Sequence, residues 1–455
     1  MDQKTPIQLQ ELPVPAACTA ECRRQKHSRK GRAFKALGFS TLLLWLGTRY
    51  FRFPSPMTFR ESPSQWPFPP DVTVDHCAEY SDPVETEGGD YPLYSADASL
   101  ELPASADTLF LISRSHHHGG RVFSTGNVNY LQSDEVTNTV KVDITAYFWR
   151  EEHLQASKAC LLKRDDDQTG VGIFTKWEGK RRRENERLRL DVTVTFPRTE
   201  DNSALAINNF SSDLEIFTQT VADLSNIDFK TLSLKAALSA IRAESLVARN
   251  ATIRTSLGPI MIQSLIGETA SIVTNLGAIE GTFNSSKSLT LSTSNGPINV
   301  EVNLFNNDED DAAKLKLLTS NGRIEGRINL ESTKKSGSAF NITARTSHGP
   351  IDLDVVAAPL ESNITLGATT SLGSLSAKLP TTFEGEFHAS TSLSSLQVKV
   401  DENAEDPAGK GRKRHVDHRT VGKASSHGYV SWSEEGKTRG SVVVRSSLGP
   451  VSLEF

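Results

Sequence analysis

The stretch Thr346-Ser347-His348-Gly349-Pro350-Ile351 decides the fold, because copies of it recur along the chain. Six further copies keep a glycine at the same place, so that the seven corner glycines are Gly258, Gly277, Gly296, Gly322, Gly349, Gly373 and Gly449. Two more copies carry Ser239 and Ser394 instead of glycine. The first four centres, at 239, 258, 277 and 296, are each 19 residues apart. A fixed period of this size predicts a stacked-repeat architecture.

The residues that follow each corner alternate between apolar and polar. After Gly349, Ile351 and Leu353 are apolar, whereas Asp352 and Asp354 are charged. A period of two predicts β-strands with one buried face, and the glycine predicts a sharp bend with positive φ. Stacked strand–corner–strand units then enclose a continuous core. Its predicted column of aliphatic residues is Val300, Ile324, Ile351 and Leu375.

The fold class that follows is all-β, a β-solenoid or β-helix-like domain. We expect the solenoid repeats over residues 205–400, with a terminal solenoid strand at 441–455. The alternating stretches within 95–204 predict an N-terminal β segment, either part of the same architecture or a small module docked on it. Residues 401–440 begin with an acidic run and a basic run, which predict a charged insertion loop. An antiparallel sandwich with similar turns is the alternative fold.

The N-terminal residues predict a single transmembrane helix before the β domain. Residues 1–33 have the composition of a disordered, basic cytoplasmic tail, and 34–53 form a 20-residue, mostly apolar stretch that suits a signal anchor. Basic residues concentrate before this stretch, so the C-terminal domain is expected to be lumenal or extracellular, as in a type II single-pass membrane protein. A proline-rich stalk is predicted over 54–94. A cleaved signal peptide and an interfacial anchor are the alternatives.

The corner units resemble the adhesin-type β-solenoid family of bacteria and related uncharacterised membrane-anchored proteins of fungi. The resemblance covers roughly residues 105–400 and 441–455, and it depends on the repeated Thr-Ser-x-Gly-x-Ile corner together with the strand Val192-Thr193-Val194-Thr195-Phe196-Pro197. It implies a solenoid fold with a structural or adhesive role. It transfers no catalytic residues. Ser239 and Ser394 depart from the motif and leave the two ends of the solenoid uncertain.

Four charged or histidine-rich runs are candidate sites of chemistry. Three adjacent histidines can ligate zinc or copper, but neighbouring residues of a strand point to opposite faces, so a solvated turn is expected. The two acidic runs lack the spacing of an EF-hand calcium site, and the basic run fits a hairpin tip. No metal site and no cofactor are predicted from these runs, which are His116-His117-His118, Asp165-Asp166-Asp167, Asp308-Glu309-Asp310-Asp311 and Lys180-Arg181-Arg182-Arg183.

Cysteines and asparagines offer candidate covalent modifications. Cys18 and Cys22 precede the apolar stretch and would be cytoplasmic thiols. Acylation near the membrane and unmodified tail cysteines are the alternatives for both. Cys77 and Cys160 follow it, and the sequence leaves open whether they form a disulfide. Five Asn-x-Ser/Thr acceptors make the chain a candidate glycoprotein, namely Asn209, Asn250, Asn284, Asn341 and Asn363.

The function predicted from the sequence is non-enzymatic. A net charge of −5 and a pI near 6.2 argue against a nucleic-acid partner. We expect a membrane-anchored protein with a structural or adhesive role, whose partners are surface or cell-wall polysaccharide or protein. The alternative is a carbohydrate-acting enzyme on the same scaffold, which would need convergent carboxylates on one outward face. Asp352 and Asp354 share such a face, but the neighbouring units do not repeat the acidic pair.

Overall fold

The computed structural model describes residues 66–86, 94–117, 124–165, 167–177, 188–306, 311–334, 337–422 and 424–455. Within this part, Trp66–Phe455 forms one compact unit. The predicted tail, the predicted anchor and the first residues of the predicted stalk lie outside the described residues. No helix among the described residues has the length and apolar character that a membrane span requires. The anchor therefore stays a prediction.

The protein is all-β, as predicted, with 27 strands connected into one sheet in the described ranges. The N-terminal half contains β1 (Thr73–Cys77), β2 (Val84–Glu85), β3 (Tyr94–Pro103), β4 (Thr108–His117), β5 (Ser124–Val136), β6 (Thr139–Phe148), helix α1 (Glu151–Gln155), β7 (Ser157–Lys163), β8 (Gln168–Trp177), β9 (Leu188–Arg198) and β10 (Leu205–Asp213).

The strands that carry the repeats follow in chain order. They are β11 (Phe217–Lys235), β12 (Ile241–Arg254), β13 (Ile260–Val273), β14 (Ile279–Ser292), β15 (Ile298–Phe305), β16 (Ala313–Leu318), β17 (Ile324–Glu331), β18 (Ala339–Arg345), β19 (Ile351–Ala357), β20 (Asn363–Thr370), β21 (Leu375–Lys378), β22 (Gly385–Thr391) and β23 (Leu396–Lys399). The last strands are β24 (His415–Val421), β25 (Ser425–Ser431), β26 (Gly440–Ser446) and β27 (Val451–Glu454), with a short 3₁₀ turn at Glu435–Thr438.

Successive repeats pair in parallel, one coil on the next, which is the arrangement of a β-solenoid. In the first coils the register equals the sequence period: Ile241 of β12 pairs with Ile260 of β13, and Ile260 pairs with Ile279 of β14. From β15 onward each coil uses two shorter strands, and β15–β17–β19–β21 and β16–β18–β20 run up two sides of the stack. This parallel pairing is incompatible with the antiparallel alternative.

The N-terminal β segment is continuous with the repeats. β4 pairs in parallel with β10 and β5 with β11, while β3–β6–β9 and β7–β8 are antiparallel. Of the two possibilities that the sequence left open, the structure therefore shows the first, a segment of the same sheet.

Part of the predicted stalk is packed onto the domain instead of extending from it. β1 pairs with β7, and Trp66, Phe68 and Val72 contact a small apolar cluster around Phe174. The Phe68 and Phe174 rings lie 4.6 Å apart in an edge-to-face arrangement. Cys77 and Cys160, which are paired across β1 and β7, form a disulfide. The proline count suggested a spacer, but these apolar side chains give this segment a surface to bury.

The C-terminal segment is inserted into the stack and does not close it. β26 lies between β20 and β22, and β27 lies between β21 and β23, with all four pairings parallel. The spatial order of the last coils is therefore 363–378, 440–454 and 385–399. This corrects the expectation that residues 441–455 form the terminal strand.

Residues 401–440 were expected to be a charged loop, but they contain a β-hairpin. β25 pairs antiparallel with β22 and with β24, so β24 becomes the outer strand at this end of the sheet. The preceding turn is ordered by Asp406, whose carboxylate accepts two hydrogen bonds from the Arg412 guanidinium at 2.8 and 3.0 Å. This pairing holds the pKa of the Asp406 carboxyl well below its usual range. Asp406 of the acidic run and Arg412 of the basic run thus neutralise each other.

Aliphatic side chains fill the interior of the stack in columns. Ile298, Ile324, Ile351 and Leu375 pair in successive coils and are at most 1% exposed. Val300, which the sequence placed in this column, is also buried but pairs with Gly326 in the next column. The error is one step of the strand's two-residue period, so the predicted face is right and the predicted register is wrong.

Candidate interaction surfaces

Each corner is held by a buried hydroxyl that joins two coils. Thr293 Oγ1 donates a hydrogen bond to the carbonyl of Gly277 in the coil below, at 3.0 Å, and accepts one from the N–H of Gly296 at 3.2 Å. The arrangement satisfies two buried backbone groups with one side chain. It recurs at Thr255, Thr274, Thr319, Thr346, Thr370 and Ser446.

The corner glycines are required by close packing, which corrects the prediction of positive φ. None of the seven has a φ in the left-handed region. Instead, a Cβ added at Gly296 would lie 1.8 Å from the carbonyl oxygen of Gly277, and the other six corners are equally tight. The two serine corners lie at the ends of the column: the Ser239 carbonyl receives Gly258 at the bottom, and Ser394 follows Gly449 at the other end. The backbone must approach the coil below, so a side chain is excluded at the seven glycines.

One outer face of the first coils is a regular array of hydroxyl and amide groups. Its first column pairs Asn250 with Thr269, whose hydroxyl donates to the Asn250 Oδ1 at 2.6 Å. The second column lies two residues further along each strand. We call these ten residues the hydroxyl–amide face: Asn209, Thr231, Asn250, Thr269 and Ser288, and then Ser211, Ser233, Thr252, Ser271 and Thr290.

The spacing of the hydroxyl–amide face is fixed by the sheet. Neighbouring strands are about 4.8 Å apart, and residues two positions apart along a strand are about 6.6 Å apart. All ten residues are partly or fully exposed. The face therefore offers a repeating grid of hydrogen-bond donors and acceptors. In the following coil, Lys314 and Lys316 take these positions and end the neutral grid.

The outward columns on the other side of the stack carry mixed charge. Asp352 lies beside Glu325 on the neighbouring strand. The Arg323 guanidinium lies 3.8 Å from the Asp352 carboxylate and 3.1 Å from the Glu325 carboxylate. Asp354 pairs with Arg327. Asp352 and Glu325 are exposed, as the sequence predicted. Because a cation lies among these carboxylates, they form ion pairs instead of a convergent acidic pair.

The five glycosylation candidates differ in accessibility. Asn341 and Asn363 are exposed on β18 and β20. Asn209 and Asn284 are half-buried, and the Asn209 amide donates to the backbone and carboxylate of Asp107. Asn250 is exposed, but its side chain bonds to Lys230 and Thr269. The structure therefore favours Asn341 and Asn363 as acceptors.

The described residues of the histidine-rich and acidic runs lie at strand ends or in the connections between strands. His116 and His117 belong to the last residues of β4, not to a turn, while His118 and the basic run at 180–183 lie outside the described residues. Asp165 is in the connection between β7 and β8, where its carboxylate accepts from Gln168. Of the second acidic run, only Asp311 is described. No cluster of three or more metal-ligating side chains occurs in the described ranges.

A polar cleft of about 500 Å³ lies on the hairpin at the C-terminal end, where the sequence gave no repeating signal. His388 and His427 are opposite each other on β22 and β25, and Arg419 is opposite His427 on β24. Partial burial, Arg445 and His427 lower the pKa of His388. Glu386 and Asp417 contribute carboxylates to the same cleft. Its mixture of charges suits a polar contact surface at near-neutral pH.

Comparisons with known proteins give a family match for only the C-terminal part of this chain. The model of a family described as "Domain of unknown function (DUF7330)" matches residues 269–455, which is less than half of the chain. No curated protein matches. Among solved structures, a "putative cell adhesion protein" from Clostridium sporogenes ATCC 15579 matches at 9% identity over 79% of this chain and 99% of that one, with a TM-score of 0.18. A TM-score this low supports no argument about fold or function.

Proposed function

We propose that the chain is a non-enzymatic surface-interaction protein, displayed by its N-terminal anchor, which binds polysaccharide through the hydroxyl–amide face. The observation that carries this is the grid of ten hydroxyl and amide side chains on five successive strands. A repeating polymer rich in hydroxyl groups can match such a grid at many points, each weak alone and additive together. A protein surface without stacked repeats has no such period, so polysaccharide is favoured.

Binding of the labelled full-length chain to isolated cell-wall polysaccharide tests the proposal. The triple substitution Thr252→Lys, Ser271→Lys and Thr290→Lys should abolish binding, because it removes three of the five hydroxyl groups in one column of the grid and adds bulk. The matched control is Asn299→Lys, an exposed outward position in β15 on the other side of the stack. Equal binding by the triple variant and the parent would reject the hydroxyl–amide face. Release of sugar fragments by the parent would reject the non-enzymatic role.

Display on the lumenal or extracellular side has its own test. With an N-in, C-out anchor, peptide-N-glycosidase should increase the electrophoretic mobility of the expressed chain. The combined changes Asn341→Gln and Asn363→Gln should remove most of that shift, since these two acceptors are exposed. Digestion of a C-terminal tag in sealed vesicles whose cytoplasmic face is outward would contradict this topology.

A further inference from the structure

The corners expose a stripe of leucines that neither the core nor the hydroxyl–amide face explains. The residue before each corner glycine, or before its serine replacement, points outward on every coil. In spatial order these nine residues form what we call the corner stripe: Leu238, Leu257, Leu276, Asn295, Asn321, His348, Leu372, Leu448 and Leu393. The six leucines are 47–79% exposed. Exposed leucines on three consecutive coils at each end of the stripe form two apolar patches, unlike scattered single ones.

The order of the corner stripe is symmetric. Three leucines precede three polar residues, and three leucines follow, with Asn321 at the centre. This symmetry exists only in space, since the inserted C-terminal coil places Leu448 between Leu372 and Leu393. In the central part, the Asn321 side chain donates to Asn295 in the coil below, which joins two of the three polar residues across neighbouring coils.

We infer that the corner stripe is a self-association surface, on which a second copy of the chain docks about a two-fold axis through Asn321. A two-fold interface is self-complementary, so that residue i contacts j and j contacts i. The axis would place Leu257 of one copy on Leu448 of the other, and Leu276 on Leu372. Asn321 would meet its own equivalent. Every apolar residue then faces an apolar one, and every polar residue faces a polar one.

The dimensions predict a weak dimer. Eight steps of about 4.8 Å give a stripe about 38 Å long, but it is only one residue wide. Such a contact buries less than the roughly 1,200 Å² typical of a stable specific interface. Association should therefore depend on protein concentration, and it should be strengthened where many copies on one surface meet many copies on another.

The two-fold axis also makes the two stacks antiparallel. The end of the sheet that carries β1 in one copy lies beside the end that carries β24 in its partner. If each copy is anchored through its N-terminal residues, which rests on the proposed function, this geometry joins copies on facing membranes. The ligand that the adhesive role requires would then include the same protein on a neighbouring surface.

Cysteine cross-linking of the purified full-length chain in mild detergent tests the register. All variants carry Cys18→Ser and Cys22→Ser. Asn321→Cys alone should form an intermolecular disulfide, because it meets itself on the axis. Leu257→Cys alone should not, whereas Leu257→Cys mixed with Leu448→Cys should. Cross-linking of Leu257→Cys to itself would mean a parallel dimer and would overturn the inference, as would monomers throughout.

Introducing one charge, and then a charge of opposite sign opposite it, separates loss of contact from loss of folding. Leu257→Arg buries an unpaired charge in the dimer and should reduce cross-linking through Asn321→Cys at least about tenfold, while Leu257→Arg with Leu448→Asp should restore it. Failure of the pair to restore it, in a chain that unfolds like the parent, would count against the two-fold contact. The triple lysine variant of the hydroxyl–amide face should cross-link normally, so polysaccharide binding and self-association can fail separately.

Discussion

The coils of β12–β14 and the coils at the C-terminal end have the same corner but a different chain order. In the first region, each strand pairs with the strand that follows it, at 19-residue spacing. At the C-terminal end, β26 and β27 fill a gap between two coils that precede them in the sequence. The comparison shows that the corner motif specifies how any two coils stack. It does not specify which coil comes next.

Removal of the inserted coil is the change with the largest expected effect on stability. A chain that ends at Arg439 lacks β26 and β27, and should lose more than about 5 kcal/mol of unfolding free energy, since several core residues each worth about 2–5 kcal/mol disappear. Urea unfolding measures this. Ser452→Ala, on the outward side of β27, is the control and should leave stability unchanged. An unaltered midpoint for the shortened chain would mean that 363–378 and 385–399 stack without the inserted coil.

The next test asks whether the aliphatic column contributes equally in both regions. Ile279→Ala in the first coils and Ile351→Ala nearer the C-terminal end should each cost about 2–5 kcal/mol, because both leave a cavity in a buried column. Asp352→Ala should cost no more than about 0.5 kcal/mol, because that side chain faces water. Urea unfolding of all three variants gives the contrast. A greater loss for Asp352→Ala than for Ile351→Ala would contradict the assigned facing.

A smaller effect is expected from the corner itself. Gly296→Ala should cost about 1–3 kcal/mol, since its Cβ would overlap the backbone of the coil below. Gly367, inside β20, is the matched control, because no atom lies within 4 Å of a Cβ added there. Gly367→Ala should be neutral or stabilise by a few tenths of a kcal/mol. Similar midpoints for the two variants, measured by thermal unfolding, would remove the close-packing account of the corners.

The smallest effect concerns pH and belongs to the C-terminal end. The folded-state pKa of His388 lies below its unfolded value, so the unfolded chain binds a proton more readily. The contribution of His388 to stability is therefore intact above its unfolded pKa of about 6.5 and is lost as the pH falls below that value. His388→Asn should reduce the loss of stability over this range, as measured by unfolding at several pH values. An unchanged pH profile would show that the imidazole does not contribute.

Local pattern was sufficient to predict much of the fold. The alternation after Gly349 predicted the buried and outward faces of β19 correctly, and the 19-residue spacing predicted the register of β12–β14. The role of the glycines was misassigned, since contact with a neighbouring coil and a positive φ both favour glycine. Only the structure distinguishes these two causes, because the first depends on another part of the chain.

The features that sequence reasoning missed all depend on distant pairings. The cleft between His388 and His427 forms because residues 401–440 fold back as a hairpin, and the charged composition of that segment concealed its strands. The hydroxyl–amide face could have been found by aligning the repeats, since Thr252, Ser271 and Thr290 stand at 19-residue intervals. The symmetry of the corner stripe could not, because it requires the spatial order of the last coils.

The disulfide between Cys77 and Cys160 determines how the domain carries mechanical load. Tension that enters the chain on the N-terminal side of Trp66 pulls on β1, a five-residue strand paired on one side to β7. Hydrogen bonds alone would let such a strand peel away one pair at a time. The covalent bond at its end transfers the force to β7, and from there to β8 and β4 in the interior of the sheet. Under tension, therefore, peeling stops at Cys77.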